Sequence, residues 1–203
     1  WDDMKPVLGL GKTPQQIKRN IKEIPWYGEH DPKLWHEPTM AGFGAAVFDG
    51  GRKEKTLKLK DEGIWIWGKT GVCKSRAASR ASEGVHRLRG TVRWVSYADA
   101  LRGNVEALMN DPPTRRQYMA HLLGENVLMI DDVGKGKLSE TGIEFLFNLI
   151  DKVYMSTGKE RIRLWVTAND KPDNVFGASQ MPDNMKHYSE PLVRRIREIT
   201  TEV

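Results

Sequence analysis

The chain has 203 residues, of which 39% are apolar, and a formal net charge of +5. This size suits one large domain, or one domain with a short extension. The longest apolar runs, such as residues 64–67, are too short for a transmembrane helix or a signal-peptide core. A single cysteine excludes an intrachain disulfide framework and a cysteine-based zinc site, and it fits a cytoplasmic protein. The positive charge permits contact with nucleic acid.

Residues 1–60 differ in composition from the rest and form a predicted N-terminal extension. They are rich in proline, with Pro6, Pro14, Pro25, Pro32 and Pro38. Thr13 and Pro14 predict the start of a helix, and Ile17, Ile21 and Ile24 follow at helical spacing. Residues 49–60 are rich in glycine and lysine, which predicts an exposed connection.

From residue 61 to 203, strand and helix patterns alternate and predict a second domain. Apolar runs predict strands over 63–67, 91–95, 126–130, 162–167 and 198–203. Helices are predicted over 74–87, after Ser96, over 115–123, behind Thr141 and over 191–197. Ser96 with Asp99, and Thr141 with Glu144, resemble capping boxes. The helix behind Thr141 has a broad apolar face, formed by Phe145, Phe147, Leu149, Ile150, Val153 and Tyr154. The alternation predicts a parallel sheet with helices on both faces.

A phosphate-binding pattern follows the first predicted strand. Its residues are Gly68, Lys69, Thr70, Gly71, Val72, Cys73, Lys74 and Ser75. They match G-x-x-x-x-G-K-[ST], except that Cys73 replaces the second glycine. In this pattern, loop N–H groups and a helix N-terminus bind phosphates, the lysine reaches the β- and γ-phosphates, and the serine hydroxyl binds Mg²⁺. The loop therefore predicts binding of ATP with Mg²⁺. A glycine-rich turn that happens to carry a Lys-Ser pair is the alternative.

Cys73 adds a Cβ atom where the pattern has glycine. If the backbone is left-handed there, the Cβ costs about 1–2 kcal/mol. We therefore expect weaker nucleotide binding than with glycine. A redox switch at this thiol is the alternative to a simple tolerated substitution.

Two acidic residues, Asp131 and Asp132, follow the third predicted strand. An apolar strand that ends in paired carboxylates is the Walker B arrangement. Its first acid holds Mg²⁺, and its second orients or deprotonates the attacking water. Asp132 is one methylene shorter than the more usual glutamate, which predicts slow hydrolysis. A strand-terminating turn is the alternative, because aspartate is common in turns.

Polar residues also end the fourth strand and the last helix. Asn169 follows the fourth strand, where it would point toward the γ-phosphate and the attacking water, unless it is only a turn residue. Arg194, Arg195 and Arg197 lie on the last helix. They are either a solvated helix face or the source of an arginine finger for a neighbouring subunit, with Arg195 favoured over Arg194.

Together these motifs resemble the helicase-loader branch of AAA+ ATPases, the DnaC and IstB type, over residues 61–203. Residues 68–75 are similar to its Walker A, 127–134 to its Walker B and 165–170 to its sensor-1 strand. Residues 192–196 are similar to its box VII, and residues 95–99 to the exit of its second strand. The resemblance implies a three-layer α/β P-loop fold without a full C-terminal lid, and a five-stranded parallel sheet in the order 5-1-4-3-2.

The resemblance also implies an activity and a set of partners. Asn169 takes the sensor role and Arg195 the finger role, with ATP and Mg²⁺ at the interfaces of a homo-oligomer. Single-stranded DNA and a replicative helicase or a transposase are the implied partners. The implied function is an ATPase that assembles on single-stranded DNA and loads or remodels a helicase. A transposase helper of the same fold is one alternative. A degenerate nucleotide-binding adaptor, favoured by Cys73 and Asp132, is another.

Contacts to DNA have two candidate groups of residues. Basic residues flank the second and third strands, where the resemblance places a DNA path: Arg102, Arg115, Arg116, Lys135 and Lys137. A solvated surface is the alternative. Trp26, Tyr27 and Trp35 either stack on bases or pack the extension onto the core.

Overall fold

A computed structural model describes residues 48–49, 58–109, 112–135, 138–156 and 161–203. Its main sheet is parallel and contains β1 Gly63–Trp67, β2 Val92–Ser96, β3 Val127–Val133, β4 Arg163–Ala168 and β5 Thr200–Glu202. The order is β2-β3-β4-β1-β5, which is the predicted order 5-1-4-3-2 counted from the other edge. The predicted P-loop fold class is therefore confirmed.

Little of the predicted extension lies within the described residues. Its helix near Ile17 and its aromatic residues Trp26, Tyr27 and Trp35 fall outside them. The predicted connection over 49–60 is described only at its two ends. There Phe48–Asp49 pairs with Lys58–Leu59 in a two-residue antiparallel ladder.

Helices connect the strands of the sheet and cover it. They are α1 Lys74–Arg87, α2 Tyr97–Met109, α3 Pro112–Leu122, α4 Glu140–Met155, α5 Pro172–Phe176 and α6 Ser189–Ile199. A 3₁₀-helix, Asp183–Tyr188, precedes α6. The short α5 and the 3₁₀-helix were not predicted from the sequence. Among the described helices, none has the length and apolar character that crossing a membrane requires.

The alternating side chains of β1 explain how the sheet acquires two cores. Ile64 and Ile66 pack with apolar residues of α1 on one face. Trp65 points the other way, into the larger cluster that includes residues of α2, α3, α4 and α6. Because β1 is buried on both faces, it reads in sequence as a continuous apolar run. This burial holds β1 in place, and the phosphate-binding pattern begins at the residue that follows β1.

Two capping predictions had different outcomes. The Ser96 cap is confirmed, because its Oγ accepts a hydrogen bond from the Asp99 N–H at 3.1 Å. The Thr141 cap is wrong. Helix α4 begins at Glu140, and its N-cap is Ser139, whose Oγ accepts from the Gly142 N–H at 3.1 Å. Ser139 satisfies the first turn, so Thr141 falls inside the helix.

The predicted apolar face of α4 is mostly buried. Phe145, Leu149, Ile150 and Val153 lie in the larger core cluster, and Phe147 packs against its edge. Tyr154 is the exception, since it is exposed. It follows that α4, which comes directly after the acidic pair, is held against the sheet along most of its length.

Tight packing at the start of α4 generates a first prediction. A Cβ added at Gly142 would lie 2.2 Å from the Tyr97 hydroxyl oxygen. We expect Gly142→Ala to lower the free energy of unfolding by about 2 kcal/mol through overpacking, as measured by urea denaturation. The Tyr97 hydroxyl is buried and has no hydrogen-bond partner among the described residues. Tyr97→Phe should therefore change the free energy of unfolding little by itself, and it should restore the stability that Gly142→Ala loses. If Gly142→Ala destabilises the wild type and Tyr97→Phe equally, this packing is contradicted.

Candidate nucleotide site

The candidate site lies at the carboxyl edge of the sheet, where three neighbouring strands end. Strands β3, β4 and β1 are adjacent, and Trp67 at the end of β1 pairs with Ala168 near the end of β4. The predicted loop follows β1, the acidic pair ends β3 and Asn169 follows β4. Crevices at the carboxyl ends of parallel strands are the usual ligand sites of open α/β sheets. The strand order thus brings together motifs that are far apart in sequence.

The loop backbone has left-handed or otherwise positive φ angles at three positions. Gly68 has φ of 150°, Gly71 has φ of 94° and Cys73 has φ of 64° with ψ of 27°. Cys73 is the N-cap of α1, and its side chain makes no capping hydrogen bond. The Cys73 side chain therefore does not cap the first-turn N–H groups of α1. A helix end that binds an anion must leave such groups to the anion. The cysteine adopts the backbone conformation that the sequence pattern reserves for glycine.

Lys74 is held under the loop by its own backbone. Its side chain is largely buried, with 8% of the residue exposed. The Nζ donates to the carbonyl oxygens of Gly68 at 2.7 Å and Lys69 at 3.1 Å, and to Asn169 Oδ1 at 3.4 Å. Burial lowers the pKa of Lys74, and the nearby carboxylates of Asp132 and Asp131 oppose that shift. The ammonium is thus anchored at the centre of the predicted phosphate site.

Asp131 receives hydrogen bonds from two hydroxyl groups. Ser75 Oγ donates to its Oδ1 at 2.8 Å, and Thr167 Oγ1 donates to the same oxygen. The structure therefore joins the start of α1, the end of β3 and the end of β4 through one carboxylate. Since Ser75 uses its proton on Asp131, its oxygen lone pairs remain for a cation.

The residues present fit Mg²⁺ only together with phosphate oxygens. Among the described residues, no group of three or more His, Cys, Asp or Glu is arranged to hold a metal ion. Mg²⁺ is commonly bound through one or two protein oxygen ligands plus substrate phosphates. The Ser75 hydroxyl and the Asp131 carboxylate supply that kind of donor set, next to a loop shaped for phosphates.

Asp132 lies in a distorted part of β3. Its φ is 61°, and the β3–β4 register shifts between Ile130 and Val133. Its side chain is 47% exposed, and Oδ2 accepts a hydrogen bond from Lys135 Nζ at 3.1 Å. The carboxylate of Asp132 therefore pairs with the exposed Lys135, whereas that of Asp131 is bonded to the buried Thr167.

Thr167 is the site residue that the sequence analysis missed. It is fully buried at 0% exposure, and besides contacting Asp131 it accepts a hydrogen bond from the Asp132 N–H at 2.9 Å. The pattern that could have found it is a single hydroxyl residue in the otherwise apolar end of β4, two residues before Asn169. Asn169 itself is exposed and reaches Lys74.

The structure places Arg195 away from the loop of its own chain. It lies on α6, where it forms an ion pair with Asp151 at 3.0 Å and stacks on the Phe147 ring at 4.5 Å. Its side chain is 22% exposed, and Nη1 is buried without a hydrogen-bond partner among the described residues. Arg194 is the more exposed neighbour, with Glu198 at 3.9 Å. The finger role of Arg195 stays a prediction.

The predicted DNA-contacting residues that the structure describes lie on α2, on α3 and just after β3. Arg102 is exposed and pairs with Asp99 at 3.4 Å, and Lys135 pairs with Asp132. Arg116 is exposed and Arg115 is half-buried, while Lys137 lies outside the described residues. These contacts leave the DNA path a prediction.

Comparisons with solved structures identify the fold. The chain is similar to DnaI, with a TM-score of 0.57 and 15% identity over 87% of this chain and 82% of that one. It is similar to the DnaC helicase loader, with a TM-score of 0.55 and 17% identity over 81% and 85%. The chain shares the fold of these two proteins.

A replication initiator adds a structure that contains ligands. DnaA bound to AMPPCP and single-stranded DNA matches with a TM-score of 0.56 and 17% identity, over 85% of this chain but only 50% of that one. The chain thus spans about half the length of that initiator. No protein-family model and no curated protein matches the sequence. At these identities the likeness establishes the AAA+-type fold.

The left-handed Cys73 generates a second prediction. Cys73→Gly removes the cost of about 1–2 kcal/mol that a Cβ pays in the left-handed conformation. Part of this gain is lost, because glycine has more conformational entropy in the unfolded state. We expect the free energy of unfolding to rise by about 0.5–1 kcal/mol, as measured by chemical denaturation. Cys73→Ala is the matched control, because it keeps the Cβ and should bring no such gain. Equal stability of the glycine and alanine variants would contradict a strained loop.

Proposed function

We propose that the chain binds ATP with Mg²⁺ and hydrolyses ATP to ADP and phosphate. The observation that carries this proposal is the convergence of Lys74, Ser75 and Asp131 at the carboxyl edge of the sheet. An ammonium, a hydroxyl and a carboxylate around a glycine-containing loop at a helix N-terminus suit a Mg²⁺-bound polyphosphate better than a neutral ligand. A glycine-rich turn without function would not need a buried, desolvated lysine, because burial of a charged amine is costly.

The binding step follows from the contacts of Lys74. Its two shorter hydrogen bonds, to the carbonyls of Gly68 and Lys69, fix the ammonium in the loop. Its longest contact, 3.4 Å to Asn169, is the one most easily exchanged for a phosphate oxygen. Asn169 would then be released to face the γ-phosphate and the attacking water, as its predicted sensor role requires.

The chemical step needs an acceptor for a proton of the attacking water. Water attacks the γ-phosphorus, and the bond to the β–γ bridging oxygen breaks with its electron pair on ADP. In the proposal Asp132 accepts the proton, for which its carboxylate must exchange the Lys135 contact for the water. Ser75 and Asp131 would hold Mg²⁺, which when bound would supply positive charge to the phosphates.

A neighbouring copy of the chain completes the proposed site. The contacts of Arg195 within its own chain are to Asp151 and Phe147. In this proposal Arg195 exchanges the Asp151 contact for the γ-phosphate bound by a neighbouring copy. A positive charge there lowers the barrier by offsetting the charge of the transition state. We therefore propose a homo-oligomer with ATP at its interfaces.

The proposed cellular role is the loading or remodelling of a replicative helicase on single-stranded DNA. Its support is the shared fold with DnaI, with the DnaC helicase loader and with DnaA. In this proposal residues 61–203 are the ATPase core and residues 1–60 are an N-terminal extension. Capture of a purified replicative helicase, and not of a transposase, is the expected result; the reverse would favour a transposase helper.

A nucleotide-binding adaptor is the second candidate function. Two observations favour it. Asp132 has a left-handed backbone, and its carboxylate is engaged in an ion pair with Lys135 at 3.1 Å. Cys73 adds a side chain to the loop at a left-handed position. If these features prevent turnover, the chain would bind ATP as a structural or regulatory ligand and respond to it without hydrolysing it.

A third prediction tests the ATPase. We expect phosphate release from ATP by the wild type, stimulated by single-stranded DNA, and loss of both nucleotide binding and turnover in Lys74→Ala. The reason is that no other buried ammonium of the described core lies in the loop. Lys152→Ala removes an exposed charge on α4 and is the matched control. Binding without turnover in the wild type would favour the adaptor, and ATP affinity retained in Lys74→Ala would refute both functions.

A fourth prediction tests the shared site. Arg195→Ala should bind ATP but turn it over at least about 10³-fold more slowly. Mixing it with Lys74→Ala should restore part of the turnover, because each copy supplies what the other lacks. Arg194→Ala should keep turnover, and Asp151→Asn should show the effect of losing the ion pair alone. No recovery on mixing, or a loss confined to Arg194→Ala, would contradict the assignment of Arg195.

A further inference from the structure

The end of β3 contains a β-bulge that faces a single residue of β4. The register pairs Ile130 with Val166 and then Val133 with Ala168, so two residues of β3 are opposite one residue of β4. The two are Asp131 and Asp132, and the one is Thr167. A bulge leaves an extra residue without its ladder partner and redirects side chains. Here the redirected side chains are the two acids of the proposed site.

One hydroxyl group bridges both bulged residues. Thr167 Oγ1 donates its proton to Asp131 Oδ1 and accepts the Asp132 N–H at 2.9 Å. The hydroxyl therefore replaces the missing ladder partner of Asp132 and at the same time orients the carboxylate of Asp131. Thr167 is fully buried, so water does not compete for these bonds. A hydrogen bond to a carboxylate is also roughly twice as strong as one between neutral groups.

We propose that Thr167 is a positioning residue of the ATP site. Its hydroxyl holds Asp131 Oδ1 against Ser75 and keeps Asp132 in the bulged, left-handed conformation. This inference rests on the proposed function, since it concerns how the acids meet Mg²⁺ and water. Thr167 does not touch the nucleotide in this proposal; it acts through the two acids.

The alternative is that the hydroxyl only satisfies the bulge. A purely structural role predicts a loss of stability that affects nucleotide binding equally with and without Mg²⁺. A positioning role predicts a loss that depends on Mg²⁺, because Asp131 and Ser75 are the residues that would hold the cation. The cation dependence of binding therefore separates the two roles, independently of turnover.

The experiment uses two comparisons in which only one protein of the pair has the hydroxyl: the wild type with Thr167→Val, and Thr167→Ser with Thr167→Ala. Thr167→Val keeps the shape of threonine and removes the hydroxyl, whereas Thr167→Ser keeps the hydroxyl and removes the methyl. Thr167→Ala, compared with Thr167→Ser, repeats the test without the methyl group, should the valine variant fail to fold. The measurement is the affinity for a non-hydrolysable ATP analogue, with Mg²⁺ and with EDTA.

We expect the valine and alanine variants to bind the analogue about 10–100-fold more weakly with Mg²⁺, the range typical of lost outer-shell partners. In EDTA they should match the wild type, and the serine variant should behave as the wild type in both conditions. Equal affinities of wild type and valine variant in Mg²⁺, or equal losses with and without Mg²⁺, would overturn the inference.

Amide hydrogen exchange of the nucleotide-free protein gives an independent measurement. The Asp132 N–H should exchange faster in Thr167→Val than in the wild type, because it loses its acceptor, and should stay protected in Thr167→Ser. Unchanged exchange in Thr167→Val would overturn the positioning role. If the wild type fails to bind the ATP analogue at all, the proposed function fails, whereas the exchange result still decides whether Thr167 holds the acids.

Discussion

One carboxylate oxygen, Asp131 Oδ1, joins the three segments on which the candidate site depends. It accepts from Ser75 at the start of α1 and from Thr167 near the end of β4. These segments are distant in sequence, and the order of the parallel strands brings their ends side by side. A carboxylate is well suited to this junction, because it offers about four lone-pair sites and donates nothing when ionised. The start of α1 after the loop, the acidic pair and the end of β4 therefore meet at this carboxylate.

Strain is concentrated around the same junction. Among the described residues three non-glycine residues have left-handed φ angles, and two of them, Cys73 and Asp132, are next in sequence to Lys74 and Asp131. Such conformations persist when the surrounding structure determines them, and they cluster at functional sites. Here the buried strands β1 and β3 supply the rigid surroundings. Packing of the core therefore stabilises a site whose local backbone is unfavourable.

Much of this architecture could be predicted from residue patterns. The apolar runs of β1 and β3, the glycines of the loop and the paired acids each have a local cause, so their elements and approximate bounds follow from sequence. The bulge does not, because Asp131 and Asp132 acquire it only by pairing with β4. The same holds for Thr167, whose hydroxyl matters through two partners on another strand. The N-cap of α4 was misplaced because Ser139 and Thr141 are both good caps by residue type, and the structure shows that Ser139 makes the capping hydrogen bond.

The backbone of Asp132 also governs which side chains position 132 accepts. Aspartate and asparagine tolerate the left-handed region better than other residues with a Cβ. A glutamate there would extend the reach of the carboxylate by one methylene, but it would favour a straighter strand and so oppose the bulge. The short acid and the bulge therefore depend on each other.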